Sequence, residues 1–268
     1  MKLHEFFPLL LEGGKAIKDS SKISQLEVRE ILEDLLDKIQ STLNLKSSKV
    51  AVIGSAGKKP NDADLSGDID IAVECDENTV IQSLKDLSDG NLTREMKGIG
   101  VWSFGYSFND KVVQVDLMPV ENIKFAEWSF QANVLDLEKG LKGAHRNELF
   151  FAIAKYMPIE VIKSDSDGNP LVFKRFFYDL RKGLMEGIRS KKENSKNYST
   201  SEKKVITNDP EKITKMMFGK TFSSKDVSSF NGAYKAILDK NFQYHDQVKN
   251  ILDLAAKGIK GKGLKVPY

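Results

Sequence analysis

The sequence predicts an α/β (α+β) fold in which helices flank a mixed sheet, followed by a mainly helical C-terminal subdomain that carries a hairpin. A short apolar run at 49–53, a period-two run at 68–73 and two runs at 97–108 and 111–118 are typical of strands. An amphipathic pattern at 24–43 is typical of a helix, and helical spacing returns after residue 123. With 268 residues, 40% of them hydrophobic, the chain can bury one large core or two modest domains.

The first regular element that the sequence predicts is a helix at 24–43. Ser24 is placed to cap it, and Glu27 completes a capping box. Apolar side chains at helical spacing form one face: Val28, Ile31, Leu32, Leu35, Leu36 and Ile39. The outer face is acidic, so we expect the helix to support the strand at 49–53. The apolar segment 1–19 is expected to dock on the core.

The strand at 68–73 carries two carboxylates on one face. Because side chains alternate along a strand, Asp68 and Asp70 share a face and Ile69 and Ile71 point to the other. Asp116 is a third acid in an otherwise apolar strand. Carboxylate oxygens are the ligands that Mg²⁺ prefers. If the sheet brings the three acids together, they form a site for two metal ions, with Mn²⁺ as an alternative to Mg²⁺.

The segment that precedes the strand at 68–73 offers groups for an anion. The apolar run 50–53 ends at Gly54 and Ser55, and Gly57 and then Lys58 and Lys59 follow. Backbone amides of such a turn and the lysine side chains can face phosphates. Metal-bound phosphates beside a metal-activated hydroxyl give nucleotidyl transfer from a triphosphate.

The next elements are a helix at 78–88 and an antiparallel hairpin. Aromatic and small residues alternate over 97–108, the turn Asn109-Asp110 follows, and a second strand covers 111–118. The aromatic side chains either pack as one face of the sheet, which we favour, or stack on nucleic-acid bases.

Helical patterns dominate the region 123–157. Lys142 and Arg146 stand one turn apart, which makes them candidates for triphosphate contacts, whereas the neighbouring His145 is more typical of a structural role. A hairpin is predicted at 158–178, because a turn-forming segment separates two apolar runs.

Beyond the hairpin, the polar stretch 191–202 predicts a loop. Helices are predicted from Pro210, over 224–236 and over 244–257. The glycine and lysine run 258–265 either grips a phosphate backbone or forms a solvated tail.

Charge is unevenly distributed along the chain. The net charge is +3, but the segment from Arg181 onward has 19 basic against 9 acidic residues. A basic region indicates either a polyanion partner such as DNA or RNA or a lysine-rich solvated surface. No run approaches the about twenty apolar residues of a membrane span, so we expect no membrane partner and a cytoplasmic location. The single cysteine, Cys75, excludes internal disulfides and is expected to pack rather than react.

Calcium loops and Walker motifs fit the acidic segment and its preceding turn less well. The segment from Asp62 to Gly67 begins like an EF-hand loop, but its twelfth position is Val73. The Gly54 turn lacks the spacing of a Walker motif. The three aspartates can also be read as strand-end or lysine-paired residues without a metal.

Together, Gly54-Ser55, the pair Asp68 and Asp70, and the distant Asp116 resemble the pattern of the polymerase beta-like nucleotidyltransferase superfamily. Segments 66–71 and 115–120 look like the palm motifs of family X DNA polymerases. The resemblance covers about 50–120 and extends less closely to about 155. The loop before the acid pair is a few residues longer than the pattern, and no helix-hairpin-helix segment is found upstream.

The resemblance implies a division into an N-terminal helical segment (1–45), a palm (46–122) and a basic, thumb-like region (123–268). It also implies transfer of a nucleoside monophosphate to a hydroxyl group. The acceptor that we favour is the hydroxyl group at the 3′ end of a nucleic acid. Small-molecule or protein acceptors are the alternative, as is a non-catalytic module of a toxin-antitoxin pair.

Overall fold

The computed structural model describes residues 16–59, 61–88, 93–96, 100–130, 132–192, 195 and 197–268. The chain divides into two compact units. Unit 1 comprises Met1–Ala144 and Gly261–Tyr268, and unit 2 comprises His145–Lys260. Within the described residues there are eight α-helices and three sheets, one of them mixed, which confirms the predicted α+β class. The segment 1–15, part of the predicted docking segment, lies outside the described residues.

Unit 1 is built on a five-stranded mixed sheet. The strands of the unit are β1 (Ile23–Ser24), β2 (Val50–Val52), β3 (Leu65–Ser66), β4 (Asp68–Val73), β5 (Thr93–Met96), β6 (Val101–Phe108) and β7 (Lys111–Pro119). The sheet has the order β2-β4-β7-β6-β5, while β1 and β3 pair separately. β4 and β7 run parallel, and the other neighbours run antiparallel. The predicted strands at 49–53, 68–73 and 111–118 are therefore confirmed.

Helices cover both faces of this sheet, with α1 (Gln25–Thr42) and α2 (Glu77–Leu87) on one face and α3 (Ile123–Ser129) on the other. The unit also contains α4 (Val134–Glu138) and the first two residues of α5 (Gly143–Tyr156). α1 begins as predicted, since Ser24 accepts the Glu27 amide and the Glu27 side chain accepts the Ser24 amide. The apolar faces of α1 and α2 form one core with Ile69 and Ile71 of β4.

The opposite face of the sheet packs against α3. Ala72 of β4 and Met118 of β7 form a smaller cluster with Ile123 and Ala126. Since side chains two apart share a face, Asp70 and Asp116 lie on this side of the sheet. The strand pattern thus directs the acids away from the main core.

The aromatic residues of β6 pack as a sheet face. Phe104 is fully buried, and Trp102, Tyr106 and Phe108 pack partly buried against the main core. This confirms the packing interpretation for the described part of the run; residues 97–99 lie outside it. Cys75 packs against the same core, and burial raises the pKa of its thiol to about 11, which agrees with the packing role predicted for it.

Unit 2 contains an antiparallel four-stranded sheet. Its strands are β8 (Glu160–Ser164), β9 (Pro170–Asp179), β10 (Gly183–Ser190) and β11 (Ser199–Thr207), in the order β11-β10-β9-β8. Most of α5 belongs to this unit, together with α6 (Pro210–Phe218), α7 (Phe230–Leu238) and α8 (Val248–Gly261). The hairpin predicted at 158–178 is confirmed as β8 and β9, and helix α6 starts at Pro210 as predicted.

Two predictions for this region have the wrong bounds. The loop predicted at 191–202 gives way at Ser199 to β11, an edge strand whose side chains are mostly exposed, so its polar composition does not prevent pairing with β10. The helix predicted at 224–236 begins only at Phe230. Ser229 caps it, and the preceding residues form a turn in which Asp226 accepts the Ser223 amide at 2.7 Å.

No helix in the described ranges combines the length and the apolar character that crossing a membrane requires.

Candidate metal centre on the five-stranded sheet

The three predicted aspartates meet on adjacent parallel strands. Asp70 of β4 lies opposite Asp116 of β7 in the register, and Asp68 precedes Asp70 on the same face of β4. One carboxylate oxygen from each residue lies within 4.8 Å of the other two. Asp68 and Asp70 are partly exposed, whereas Asp116 is only 5% exposed. This arrangement can hold a cation on the α3 side of the sheet.

Electrostatics in the triad (Asp68, Asp70 and Asp116) favour protonation. Burial, and then the neighbouring carboxylates of Asp68 and Asp116, raise the pKa of Asp70 well above its usual range, with Lys58 opposing them. Burial also raises the pKa of Asp116 to about 6, against hydrogen bonding that favours the ionised form. A cation among these oxygens would remove the repulsion, so the donor set fits a hard divalent ion.

Gln114 orients Asp116, a role that the sequence analysis missed. Its Oε1 accepts the backbone amides of Ala16 and Ile17 at 2.8 and 3.0 Å. This fixes the amide group so that Nε2 donates to Asp116 Oδ1 at 2.9 Å. Ser103, which is fully buried, stands directly across from Asp116 on β6. One carboxylate oxygen of Asp116 is therefore held by the protein itself.

The Gly54 turn approaches the triad closely. Gly54 has a φ of +66°, and its amide donates to the Phe130 carbonyl at 3.2 Å. A Cβ on this residue would lie 2.2 Å from Asp70 Oδ2. Only glycine allows both this backbone conformation and the approach. The glycine of the predicted Gly-Ser turn therefore borders the triad, and Ser55 begins the turn that brings the Lys58 amide to the Ser55 carbonyl at 3.2 Å.

Lys58 and Lys59 lie beside different acids. Lys58 Nζ donates to the Val52 carbonyl at 3.3 Å, and burial lowers its pKa although Glu127 and Asp70 oppose this change. Lys59 Nζ donates to the Leu65 carbonyl, so it bridges the loop that precedes the acid pair. Asp64 and Asp68 interact with the Lys59 charge. Both lysines thus stand within electrostatic reach of the triad.

The loop between Lys59 and Ser66 is held by Gln25, which the sequence analysis did not identify. Gln25 is fully buried at the start of α1. Its Nε2 donates to the Asp64 carbonyl at 3.0 Å and to Ser66 Oγ at 2.9 Å, and its Oε1 accepts the Lys59 amide at 3.3 Å. The Gln25 side chain thereby fixes both ends of the loop between Lys59 and Ser66.

The two predicted cations after the sheet have different surroundings. Lys142 belongs to unit 1 and interacts electrostatically with Lys59. Arg146 belongs to unit 2, where it is 2% exposed, donates Nε to the Val227 carbonyl at 2.7 Å and lies 4.6 Å from the Phe150 ring. His145 is buried edge-on to Phe230, in agreement with a structural role. Nucleotide contacts of Lys142 and Arg146 stay predictions.

Comparison with models of known protein families found no match to the sequence, and no curated protein matches it either.

Proposed function

We propose that the protein is a metal-dependent nucleotidyltransferase. It joins a nucleoside monophosphate from a nucleoside triphosphate to a hydroxyl group and releases pyrophosphate. The acceptor oxygen forms a bond to the α-phosphorus as the bond between that phosphorus and the bridging oxygen breaks. The observation that carries the proposal is the meeting of three carboxylates on parallel strands beside a glycine turn.

Each residue of the site has a role in this proposal. Asp68, Asp70 and Asp116 supply oxygen ligands for two divalent ions, Mg²⁺ or Mn²⁺. Such ions, when bound, neutralise charge on the phosphates and lower the pKa of the attacking hydroxyl. Gln114 keeps Asp116 in a fixed orientation through its amide group.

The phosphates are assigned to the Gly54 turn. The backbone amides of residues 55–57, the Ser55 hydroxyl and the ammonium groups of Lys58 and Lys59 offer donors and positive charge to the β- and γ-phosphates. The burial that lowers the pKa of Lys58 weakens its hydration, which strengthens its interaction with an anion that replaces water.

A nucleic-acid 3′ end is the acceptor we favour, as in a DNA polymerase. The resemblance to family X palm motifs and the basic composition after Arg181 both support this choice. Small molecules and proteins are the acceptors that the experiment must compare with it.

The test is an incorporation assay on the full chain. Each labelled triphosphate is incubated in turn with Mg²⁺ and single-stranded, primed or gapped DNA or RNA. We expect labelled strands from the wild-type protein, and Asp116→Asn should reduce incorporation by at least about a hundredfold, because a metal ligand is lost. Asp34→Asn removes one charge from the exposed face of α1 and serves as the control.

Three outcomes would change the proposal. Label in a small molecule or in a protein would identify the acceptor as other than nucleic acid. Near-normal Mg²⁺-dependent incorporation by Asp116→Asn would refute the site. Failure to label any acceptor, with all four bases and both sugars, would favour a non-catalytic module.

A further inference from the structure

A group of cations lies on the sheet of unit 2, apart from the residues assigned to the metal centre. Lys155 is near the end of α5, Arg175 is on β9 and Arg189 is on β10. An Arg175 terminal nitrogen donates to the Lys155 carbonyl at 3.3 Å. Burial, and then the charge of Arg189, lower the pKa of Arg175. Burial, and then the charge of Arg175, lower the pKa of Lys155, while the charge of Glu148 opposes this change. The cation group (Lys155, Arg175 and Arg189) therefore concentrates positive charge in a partly desolvated part of unit 2.

Aromatic rings hold these cations without neutralising them. The Arg175 guanidinium lies 5.6 Å from the centre of the Phe177 ring, and the Arg189 guanidinium lies 5.4 Å from that of Tyr198. Cation–π contacts fix the orientation of a cation but leave its charge in place. The Lys203 ammonium group lies 5.6 Å from the centre of the Phe177 ring, and the Lys191 ammonium group lies 5.1 Å from that of Tyr198.

Gly187 makes room at the centre of this surface. It is the partner of Arg175 in the register between β9 and β10. A Cβ at this position would lie 3.1 Å from the Phe177 ring and 3.2 Å from the stem of Lys203. Because glycine has no side chain, the ring and the lysine can pack together over the strand, beside Arg175.

Two donors of the cation group are buried and unsatisfied. Within the described part of the chain, the Nε atoms of Arg175 and Arg189 are buried and have no hydrogen-bond partner. An arginine cannot relieve this by losing its proton, because its pKa is too high. Buried charged donors are costly unless an acceptor meets them. An anion bound at the terminal nitrogens of these side chains would reduce the repulsion among the three cations.

We propose that the cation group of Lys155, Arg175 and Arg189 binds a phosphate group, which the backbone of a nucleic-acid strand supplies. Lys191 and Lys203 extend the positive surface across neighbouring strands, as a chain with several phosphates requires. This inference rests on the proposed function, because it gives an acceptor strand a binding surface, but it can fail separately from catalysis.

The test measures binding without metal. A labelled single-stranded 20-mer, as DNA and as RNA, is titrated in EDTA over a range of salt concentrations with the wild-type chain and with Arg175→Gln/Arg189→Gln. We expect the double variant to bind at least about tenfold more weakly at low salt. The slope of log affinity against log salt should become shallower by about 1.4, because each phosphate that an arginine neutralises on a single strand contributes about 0.7.

The control is Lys220→Gln/Lys240→Gln, which removes two exposed positive charges from the same unit. It should keep the wild-type slope. An equal loss of affinity in both double variants, or wild-type affinity and slope in the arginine variant, would overturn the proposal. Circular dichroism and thermal unfolding check that the arginine variant folds.

A second measurement does not depend on a variant that folds. Inorganic phosphate should raise the wild-type melting temperature more than chloride at equal ionic strength, and the absence of this shift would contradict a phosphate site. If the arginine variant loses this shift but binds the strand normally, the site takes a small phosphate and the strand is rejected as its source. Strand binding without any nucleotide incorporation would support the phosphate site and refute only the proposed catalysis.

Discussion

Gly54 shows how one residue links backbone conformation to the candidate metal centre. Its positive φ requires glycine, and its Cα lies against the Asp70 carboxylate. Gly57, three residues later, also has a positive φ of +72°, but a Cβ there would meet Val28 and Leu32 at 3.6 and 3.8 Å, which are ordinary contact distances. A side chain at Gly57 would therefore meet backbone strain alone, whereas a side chain at Gly54 would also conflict sterically with the triad.

We predict that Gly57→Ala costs about 1–2 kcal/mol of unfolding free energy, from backbone strain alone. Gly54→Ala should cost more, because the added methyl group must also displace the Asp70 carboxylate, and it should abolish stabilisation by Mg²⁺. Chemical denaturation of both variants, with and without Mg²⁺, measures the difference. Equal costs and equal responses to Mg²⁺ would contradict the close approach of the turn to the site.

Asp116 makes the stability of the metal-free protein depend on pH. Its pKa rises from 3.8 to about 6 on folding, so the folded state binds the proton more tightly. The resulting stabilisation is complete below the unfolded pKa and is lost as pH rises through about 6. The loss amounts to about 3 kcal/mol, and the raised pKa of Asp70 acts in the same direction.

We therefore predict that the metal-free protein unfolds at a lower temperature at about pH 8 than at about pH 5, because the ionised triad repels itself. Mg²⁺ binds the ionised carboxylates, so its stabilising effect should grow over the same range. Asp116→Asn cannot titrate and should be more stable than the wild type at about pH 8 without metal. A wild-type melting temperature that is independent of pH, with and without Mg²⁺, would argue against the coupled triad.

At the scale of single residues, the sequence predicts the acids but not their supports. Asp68, Asp70 and Asp116 stand out because a period-two apolar strand makes a carboxylate conspicuous. Gln114 and Gln25 do not stand out, because their roles depend on partners about 100 and 40 positions away in the chain. No local pattern contains such partners, so only the folded register reveals them.

At the scale of elements, the start of α1 joins the sheet through Glu27. This side chain accepts the Ser24 amide at 2.8 Å and forms an ion pair with Lys111 of β7. The hydrogen bond with Lys111 and the Ser24 amide lower the pKa of Glu27 to about 2. The stabilisation is therefore present above the unfolded pKa and is lost as pH falls through about 2.

We predict that Glu27→Gln destabilises unit 1 by about 1–2 kcal/mol at neutral pH, because it weakens the cap and removes the ion pair. Glu30→Gln changes the same charge at an exposed position of the same helix and should have an effect within about 0.5 kcal/mol. Tryptophan fluorescence during urea unfolding measures both, since Trp102 and Trp128 both belong to unit 1. A similar cost in the two variants would contradict the link between helix and sheet.

The elements of the two units differ in how well the sequence predicts them. In unit 1, β4, β6 and β7 are buried on at least one face, so hydrophobic alternation marks them. In unit 2, β11 is an exposed edge strand that pairs with β10 through its backbone, with register shifts along the pair. Its polar side chains give the pattern of a loop, because backbone pairing leaves no periodic signal when neither face is buried.

At the scale of the whole molecule, the two proposals assign different tasks to different units. In these proposals, the triad of unit 1 holds the metal and carries the reaction, and the cation group of unit 2 holds phosphate. The triad is negatively charged, whereas the cation group is positively charged. Because a strand would bind the cation group through its phosphates, salt should weaken strand binding through unit 2. Both tryptophans lie in unit 1, so tryptophan fluorescence follows the unfolding of that unit.

We predict that two sets of substitutions separate metal binding from strand binding. Asp116→Asn should lose the Mg²⁺-induced shift in tryptophan-detected unfolding but bind a strand in EDTA at least as tightly as the wild type, because one negative charge is gone. Arg175→Gln/Arg189→Gln should keep the Mg²⁺ shift and lose strand affinity. If either variant loses both properties while its far-ultraviolet circular dichroism stays unchanged, the two functions share one site and the assignment of phosphate binding to the sheet of unit 2 is wrong.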